Sequence, residues 1–198
     1  MTDIQVVENF FPTIILKEVI SKVEHSEARW TYKVRNPTHS DYYEVYKAQK
    51  NDPNIVEDLS YFQYKFYGSN STLQDERIAE IFKTYIQSQF KLNVREILRI
   101  NCNITSPYHN FQDHQYMMPH IDANIPHRSL IFYLHDSDGD TVLFDRCYDG
   151  ISENITDLKV VKRVKPKKNL CLTFNGLRYH SASPSKSILR RIINVNYL

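Results

Sequence analysis

Apolar positions in the first half of the chain recur at helical spacing in two places. Ile14, Ile15, Val19, Ile20 and Val23 follow Pro12, a residue that a first helical turn accepts, and predict an amphipathic helix over roughly 12–25. Ile78, Ile81, Phe82, Tyr85, Ile86 and Phe90 form a second apolar face, with Thr72 as its expected cap and Asp75 and Glu76 in its first turn. Between these helices, Trp30–Val34 and Tyr61–Tyr67 are aromatic and strand-like. The polar segment from Asn36 to Asn54, broken by Pro37 and Pro53, reads as a long loop and a candidate substrate flap. From residue 94 the pattern changes to short β-prone runs: Glu96–Ile104, Tyr116–Ile121, Ser129–His135, Thr141–Asp145, Leu158–Val164, Leu170–Phe174, Leu177–Ala182 and Arg190–Tyr197. Asp138-Gly139-Asp140 and Asn175-Gly176 are tight-turn signals, each expected to join adjacent runs as an antiparallel hairpin. The expectation is an α+β, mainly β domain covering 1–198: a sandwich or small barrel from 94 onward, with the segment 1–93 as support and its helices packed on one sheet.

Composition narrows this further. A chain of 198 residues that is 41% hydrophobic is long enough for one sizeable core. Cys102, Cys147 and Cys171 are odd in number and widely spaced, which argues for buried thiols and against a disulfide framework or a zinc knuckle. Apolar runs such as Ser129–Leu134 fall far short of the roughly 18 to 20 residues that span a bilayer, and no leader pattern is visible. A soluble, cytoplasmic protein with no membrane partner is expected. The net charge of +2 is too small to imply nucleic acid. The local cluster Lys159, Lys162, Arg163, Lys165, Lys167 and Lys168 reads as a solvated strand and turn.

Chemistry concentrates in His120, Asp122 and His180. His120-Ile121-Asp122 sets an imidazole and a carboxylate two residues apart on extended chain, so both face the same way. His180 lies on a later β-run that a barrel would bring across the cavity. Two imidazoles and one carboxylate leave three positions open on a metal, which is what a non-heme iron(II) centre needs to bind a cosubstrate and dioxygen. Arg190 opens the last strand. A buried arginine beside such a metal suits the far end of a dicarboxylate whose 2-oxo acid end chelates the ion. Alternation puts Arg190, Ile192, Asn194 and Asn196 on one face and Arg191, Ile193, Val195 and Tyr197 on the other, so only one of the two arginines can face the site.

Residues 95 to 198 resemble the iron(II)- and 2-oxoglutarate-dependent dioxygenases, and most closely the small prolyl-4-hydroxylase-like enzymes of phage and marine bacterial genomes. The resemblance rests on the HxD pair, the distal histidine, the arginine behind it, and the runs Asp136–Thr141, Pro166–Asn169 and Arg190–Asn196. It implies a double-stranded β-helix, the jelly-roll or cupin-like core. It also implies that His120, Asp122 and His180 are the iron ligands and Arg190 the 2-oxoglutarate clamp, with Arg191 the competitor because the interval from His180 is longer than in the prolyl hydroxylases. Tyr133 is expected to add a phenol hydrogen bond to the same carboxylate, and Asn101 or Asn103 to lie near the chelating end.

Asn194 and Asn196, polar on a face predicted to point inward, are expected to meet cosubstrate or water. The implied cosubstrates are 2-oxoglutarate and dioxygen, with ascorbate as reductant. The implied reaction is hydroxylation of an unactivated C–H bond, of a prolyl residue, a free amino acid or another small molecule or peptide, with release of succinate and carbon dioxide. Two further readings stand beside it. One is a nucleic-acid demethylase on the same core, for which the basic cluster and exposed tyrosines would grip the strand. The other is a non-catalytic jelly-roll binding module. Tyrosines 42, 43, 46, 61, 64, 67, 108 and 116 are candidates for an aromatic rim; His114 and His127 read as loop histidines, with the entrance as their alternative place. The aspartates from Asp136 to Asp140 lack calcium-loop spacing and read as a turn.

Overall fold

Alternation along the last strand organises the molecule, because its two faces are buried against different partners. In the computed structural model, which describes residues 3–25, 28–33, 52–56, 60–69, 74–150 and 157–198, that strand is β10 (Arg190–Tyr197). The other strands are β1 (Gln5–Val7), β2 (Thr31–Lys33), β3 (Tyr61–Gly68), β4 (Ile97–Thr105), β5 (Arg128–Tyr133), β6 (Thr141–Cys147), β7 (Val160–Val164), β8 (Cys171–Asn175) and β9 (Arg178–Ala182). Seven form one sheet in the order β1-β8-β5-β10-β4-β3-β2, and three form a second in the order β7-β6-β9. Every pairing between these strands is antiparallel. Two facing antiparallel sheets with chain crossings between them are the expected jelly-roll core.

The helices α1 (Thr13–Glu24) and α2 (Glu76–Phe90) cover the outer face of the large sheet. Val19, Val23, Ile78, Phe82 and Ile86 meet Leu130, Phe132, Ile193, Val195 and Tyr197 there. Phe11 is the hub, with ring centroids 4.9 Å from Phe132 and 5.3 Å from Phe82. Between the sheets, Ile131, Leu143, Leu172, Phe174 and Ile192 form a smaller core. A third cluster, Val142, Phe144, Tyr116 and Tyr179, covers the small sheet from outside. No helix among the described residues is long and apolar enough to cross a membrane.

Several local expectations are corrected. Asp75, not Thr72, caps α2: its Oδ1 accepts from the Ile78 amide at 3.0 Å, and Thr72 lies outside the described residues. Tyr116–Ile121 is no strand. Pro119 has no N–H to give a ladder, and the segment touches β9 through one bridge, His120 to His180, beside a bond from the Met117 amide to the Ala182 carbonyl. Neither tight turn makes a hairpin: each carries the chain from the large sheet to the small one. At the second, the Asn175 side chain accepts from the Leu177 amide at 3.0 Å, and a Cβ on Gly176 would stand 2.2 Å from the His127 ring, so the turn wraps a buried histidine. β1 was not foreseen, since three residues at a sheet edge carry no readable alternation. The expected flap from Asn36 falls outside the described residues except for Asp52–Asn54, which runs into a bridge from Ile55 to Tyr116.

Candidate active site

His120 and His180 are joined backbone to backbone. Each amide donates to the other's carbonyl, at 2.9 and 3.0 Å, which sets the two rings side by side with centroids 4.7 Å apart. Each Nδ1 lies against a carbonyl oxygen, that of Met118 for His120 at 3.1 Å and that of Arg178 for His180 at 3.0 Å. A carbonyl only accepts, so each Nδ1 is the protonated nitrogen, and the neutral ring carries its lone pair on Nε2. Fixing the tautomer through the far nitrogen is how proteins orient metal-binding imidazoles. Asp122 completes the group: the ligand atoms of His120, Asp122 and His180 all lie within 4.8 Å of one another, with Asp122 Oδ2 3.8 Å from His180 Nε2.

Asp122 is the most heavily supported side chain of the three. Asn194 Nδ2 donates to both its oxygens, Asn196 Nδ2 and Ser129 Oγ donate to Oδ2, and Arg99 Nη2 pairs with Oδ1 at 3.0 Å. Burial by itself pushes this carboxyl up; the imidazole of His180, once protonated in acid, with Arg99, protonated His120 and the Asn196 hydrogen bond, outweighs it and holds the group far below the usual carboxylate range. The site therefore keeps an anionic ligand beside two imidazole lone pairs. That is the donor set of a two-histidine, one-carboxylate centre for a divalent ion such as iron(II).

The same cavity, about 180 Å³, reaches Arg190 at its other end. Arg190 is 5% exposed, and its Nε donates to the Gly139 carbonyl and its Nη2 to Thr141 Oγ1, both at 2.8 Å. Gly139 permits this approach, since a Cβ there would meet the Arg190 Cδ at 3.0 Å and the Ser183 carbonyl at 2.8 Å. Burial pulls the Arg190 pKa down while Tyr133 and Asp140 oppose it; a guanidinium keeps its charge through such a change. Arg191 faces the opposite way and stands 3.7 Å from Glu24 of α1.

Tyr133 sits one side chain behind the cavity wall. It is fully buried, its phenol is pushed above its ordinary pKa by burial, and it donates to Thr141 Oγ1 at 2.7 Å. Thr141 thus accepts from both Tyr133 and Arg190, which leaves its own hydroxyl hydrogen to donate, and it lines the cavity. Thr141 was not foreseen, because a threonine opening a β-run looks like any other. Arg99 and Ser129 were also missed as partners of Asp122, since no spacing in sequence joins them to it.

Asn101, Asn103 and Asn194 line the cavity. Asn101 Oδ1 and Asn194 Oδ1 are buried without a hydrogen-bond partner, a cost of about 1–3 kcal/mol each unless a ligand or water meets them. Of the expected aromatic rim, Tyr61 reaches the cavity. Tyr64 packs with Trp30 and Phe66, Tyr67 lies in a separate groove, Tyr116 packs on Phe144, and residues 42, 43 and 46 are outside the described residues. His127 is not at the entrance but buried behind Ser129, while His114 is exposed. The basic cluster is partly neutralised: Lys167 pairs with Glu8 at 2.8 Å and Arg163 stands 3.7 Å from Asp140. Asp138 accepts from the Lys186 amide, Ser187 and Ser185, the work of a turn.

No protein-family profile and no curated protein sequence matches the chain. Solved structures do. A prolyl hydroxylase from Trichoplax adhaerens, in complex with a hypoxia inducible factor oxygen degradation domain peptide, aligns with 100% of this chain and 84% of its own at a TM-score of 0.60 and 14% identity. SnoN, a non-heme alpha-ketoglutarate-dependent epimerase from nogalamycin biosynthesis, aligns with 99% of this chain and 77% of its own at 0.62 and 11% identity. The viral collagen prolyl hydroxylase of Paramecium bursaria Chlorella virus-1, in its 2OG complex, aligns with 99% of this chain and 96% of its own at 0.53 and 14% identity. What this chain shares with them is the fold.

Proposed function

We propose that the protein is an Fe(II)- and 2-oxoglutarate-dependent oxygenase that hydroxylates an unactivated C–H bond. One observation carries the reading: a single cavity holds a two-histidine, one-carboxylate group at one end and a buried arginine with a hydroxyl donor at the other. His120, Asp122 and His180 hold the metal, Arg190 and Thr141 grip the far carboxylate of 2-oxoglutarate, and Tyr133 acts through Thr141 by fixing its rotamer. Bound there, iron(II) and 2-oxoglutarate supply the oxidising power, with dioxygen consumed and succinate and carbon dioxide released.

The chain's own part is positional. Asn194, Asn196, Ser129 and Arg99 keep the Asp122 carboxylate ionised and aimed, and the reciprocal backbone bonds between the histidines hold their rings without a metal. Ile131 and Ile192 give an apolar wall beside Arg190 that suits the methylenes of a five-carbon diacid and excludes water from the charged pair. Prolyl residues and free amino acids are the prime substrates that the sequence resemblance favours. The likeness to a peptide-bound prolyl hydroxylase is compatible with a peptide.

The test is succinate formation from 2-oxoglutarate under air, with added iron(II) and ascorbate and no prime substrate. The native chain should turn over slowly, and His120→Ala and Arg190→Ala should each abolish that turnover. Native turnover that survives His120→Ala refutes the metal centre.

A further inference from the structure

The wall that faces the metal group from β3, β4 and β10 is built of neutral hydrogen-bonding side chains. Gln63, Asn101, Asn103 and Asn194 line it together with Tyr61. Asn194 and Asn101 are direct cross-strand partners, as are Gln63 and Asn103, so the four amides form two adjacent pairs on one face. In the first pair both carbonyl oxygens are buried without a partner. Asn194 cannot relieve this by turning its amide over: its Nδ2 donates to the Asp122 carboxylate, which only accepts, so Oδ1 is locked as an acceptor. In the second pair Gln63 Nε2 donates to Asn103 Oδ1 at 3.1 Å, which leaves Gln63 Oε1 to accept and Asn103 Nδ2 to donate. Among the described residues the two arginines that line the cavity already have partners in the oxygenase reading, Arg99 in Asp122 and Arg190 in the far carboxylate of 2-oxoglutarate.

From this juxtaposition of a locked acceptor on Asn194, a second unpaired acceptor on Asn101 and neutral amides beside the metal group, we propose that the prime substrate is a small uncharged polyol or sugar-type molecule, bound through its hydroxyl groups to Asn101, Asn194, Gln63 and Asn103. The inference rests on the oxygenase reading and names the substrate class of that site. A prolyl residue has no N–H and only C–H groups on its ring, so any donor to Asn101 Oδ1 and Asn194 Oδ1 would have to come from the amides of its peptide neighbours and not from the reacting ring. A free amino acid brings donors on its ammonium but also a carboxylate, for which neither arginine lining the cavity among the described residues is left over. A hydroxyl both donates to the orphan carbonyls and accepts from an amide N–H, and a polyol presents several such groups on neighbouring carbons.

The experiment is ligand-observed saturation-transfer NMR on the native chain loaded with zinc(II), which does not turn over, and 2-oxoglutarate. The probes are methyl α-D-glucopyranoside, methyl α-D-galactopyranoside and myo-inositol, with the tripeptide Gly-Pro-Gly and free proline as competitors. At least one polyol should bind in preference to both competitors. Asn101→Leu, which removes one orphan acceptor, should weaken that binding about tenfold, and Asn101→Ser, which restores an acceptor, should recover part of it. Preference for Gly-Pro-Gly or proline, no polyol binding at all, or an Asn101→Leu protein that binds polyol like the native chain overturns the assignment. An anaerobic titration of the same protein with iron(II) and 2-oxoglutarate separates the two levels: a chelate that forms while polyols fail leaves the oxygenase standing without this substrate class, and no chelate removes both.

Discussion

The two faces of β10 do opposite work. On the outer face Ile193, Val195 and Tyr197 lie under the helices in an apolar cluster, and on the inner face Arg190, Asn194 and Asn196 carry the hydrogen bonds of the site. The outer face is held by area removed from water, which tolerates exchange of one apolar side chain for another of similar size. The inner face is held by directional bonds with few substitutes, and it retains unpaired acceptors that a fold selected for stability alone would lose. A strand of period two lets one stretch of eight residues anchor the fold and build the site independently.

That independence can be broken or sharpened by substitution. The largest effect should come from the outer side: Phe132→Ala leaves a cavity beneath Phe11 and Phe82 and should cost about 3–5 kcal/mol of unfolding free energy, read by denaturant titration, while iron(II) affinity of the folded fraction stays near native. On the inner side Arg190→Ala, which takes the donor from the buried Gly139 carbonyl, should cost about 1–3 kcal/mol of stability and weaken 2-oxoglutarate binding by about 2–5 kcal/mol, seen by calorimetry, with Arg190→Lys recovering part of the binding because a point charge remains without the fork. Asn196→Ala removes a donor to Asp122 Oδ2 and should lower iron(II) affinity about 10- to 100-fold without touching 2-oxoglutarate contacts.

The smallest effect appears in acid. The folded Asp122 carboxyl titrates below its ordinary value of 3.8, so the unfolded chain takes up the proton first as pH falls. Its stabilisation is therefore complete above about pH 4 to 5 and drains away below that as pH falls toward the folded pKa. The metal-free native chain should lose unfolding free energy below about pH 4 more steeply than Asp122→Asn, whose curve should be flatter.

Much of this was legible in the residues. The HxD pair follows from spacing, alternation says that only one of Arg190 and Arg191 faces inward, the family resemblance picks out His180 and Arg190, and β10 itself runs from Arg190 to Tyr197 as expected. The sheet assignment of the turns was not legible, because a Gly-containing turn announces a reversal of the chain without saying whether the next strand pairs with the last or crosses to the facing sheet. Tyr133 shows a second limit: alternation puts it on the inner face, but only packing decides that Thr141 stands between it and the cavity. Arg99 and Ser129 show a third, since their tie to Asp122 is made by cross-strand register that no local pattern encodes.

The central claim is that metal and dicarboxylate share one cavity, so that tight 2-oxoglutarate binding requires the metal at His120, Asp122 and His180. The direct measurement is anaerobic calorimetry of 2-oxoglutarate into the iron(II)-loaded native chain, the metal-free chain and His180→Ala given the same iron. Tight binding to the loaded native chain, with strong loss in both of the others while the fold persists, is the predicted result. Equal binding with and without metal, or binding undiminished in His180→Ala, would contradict it.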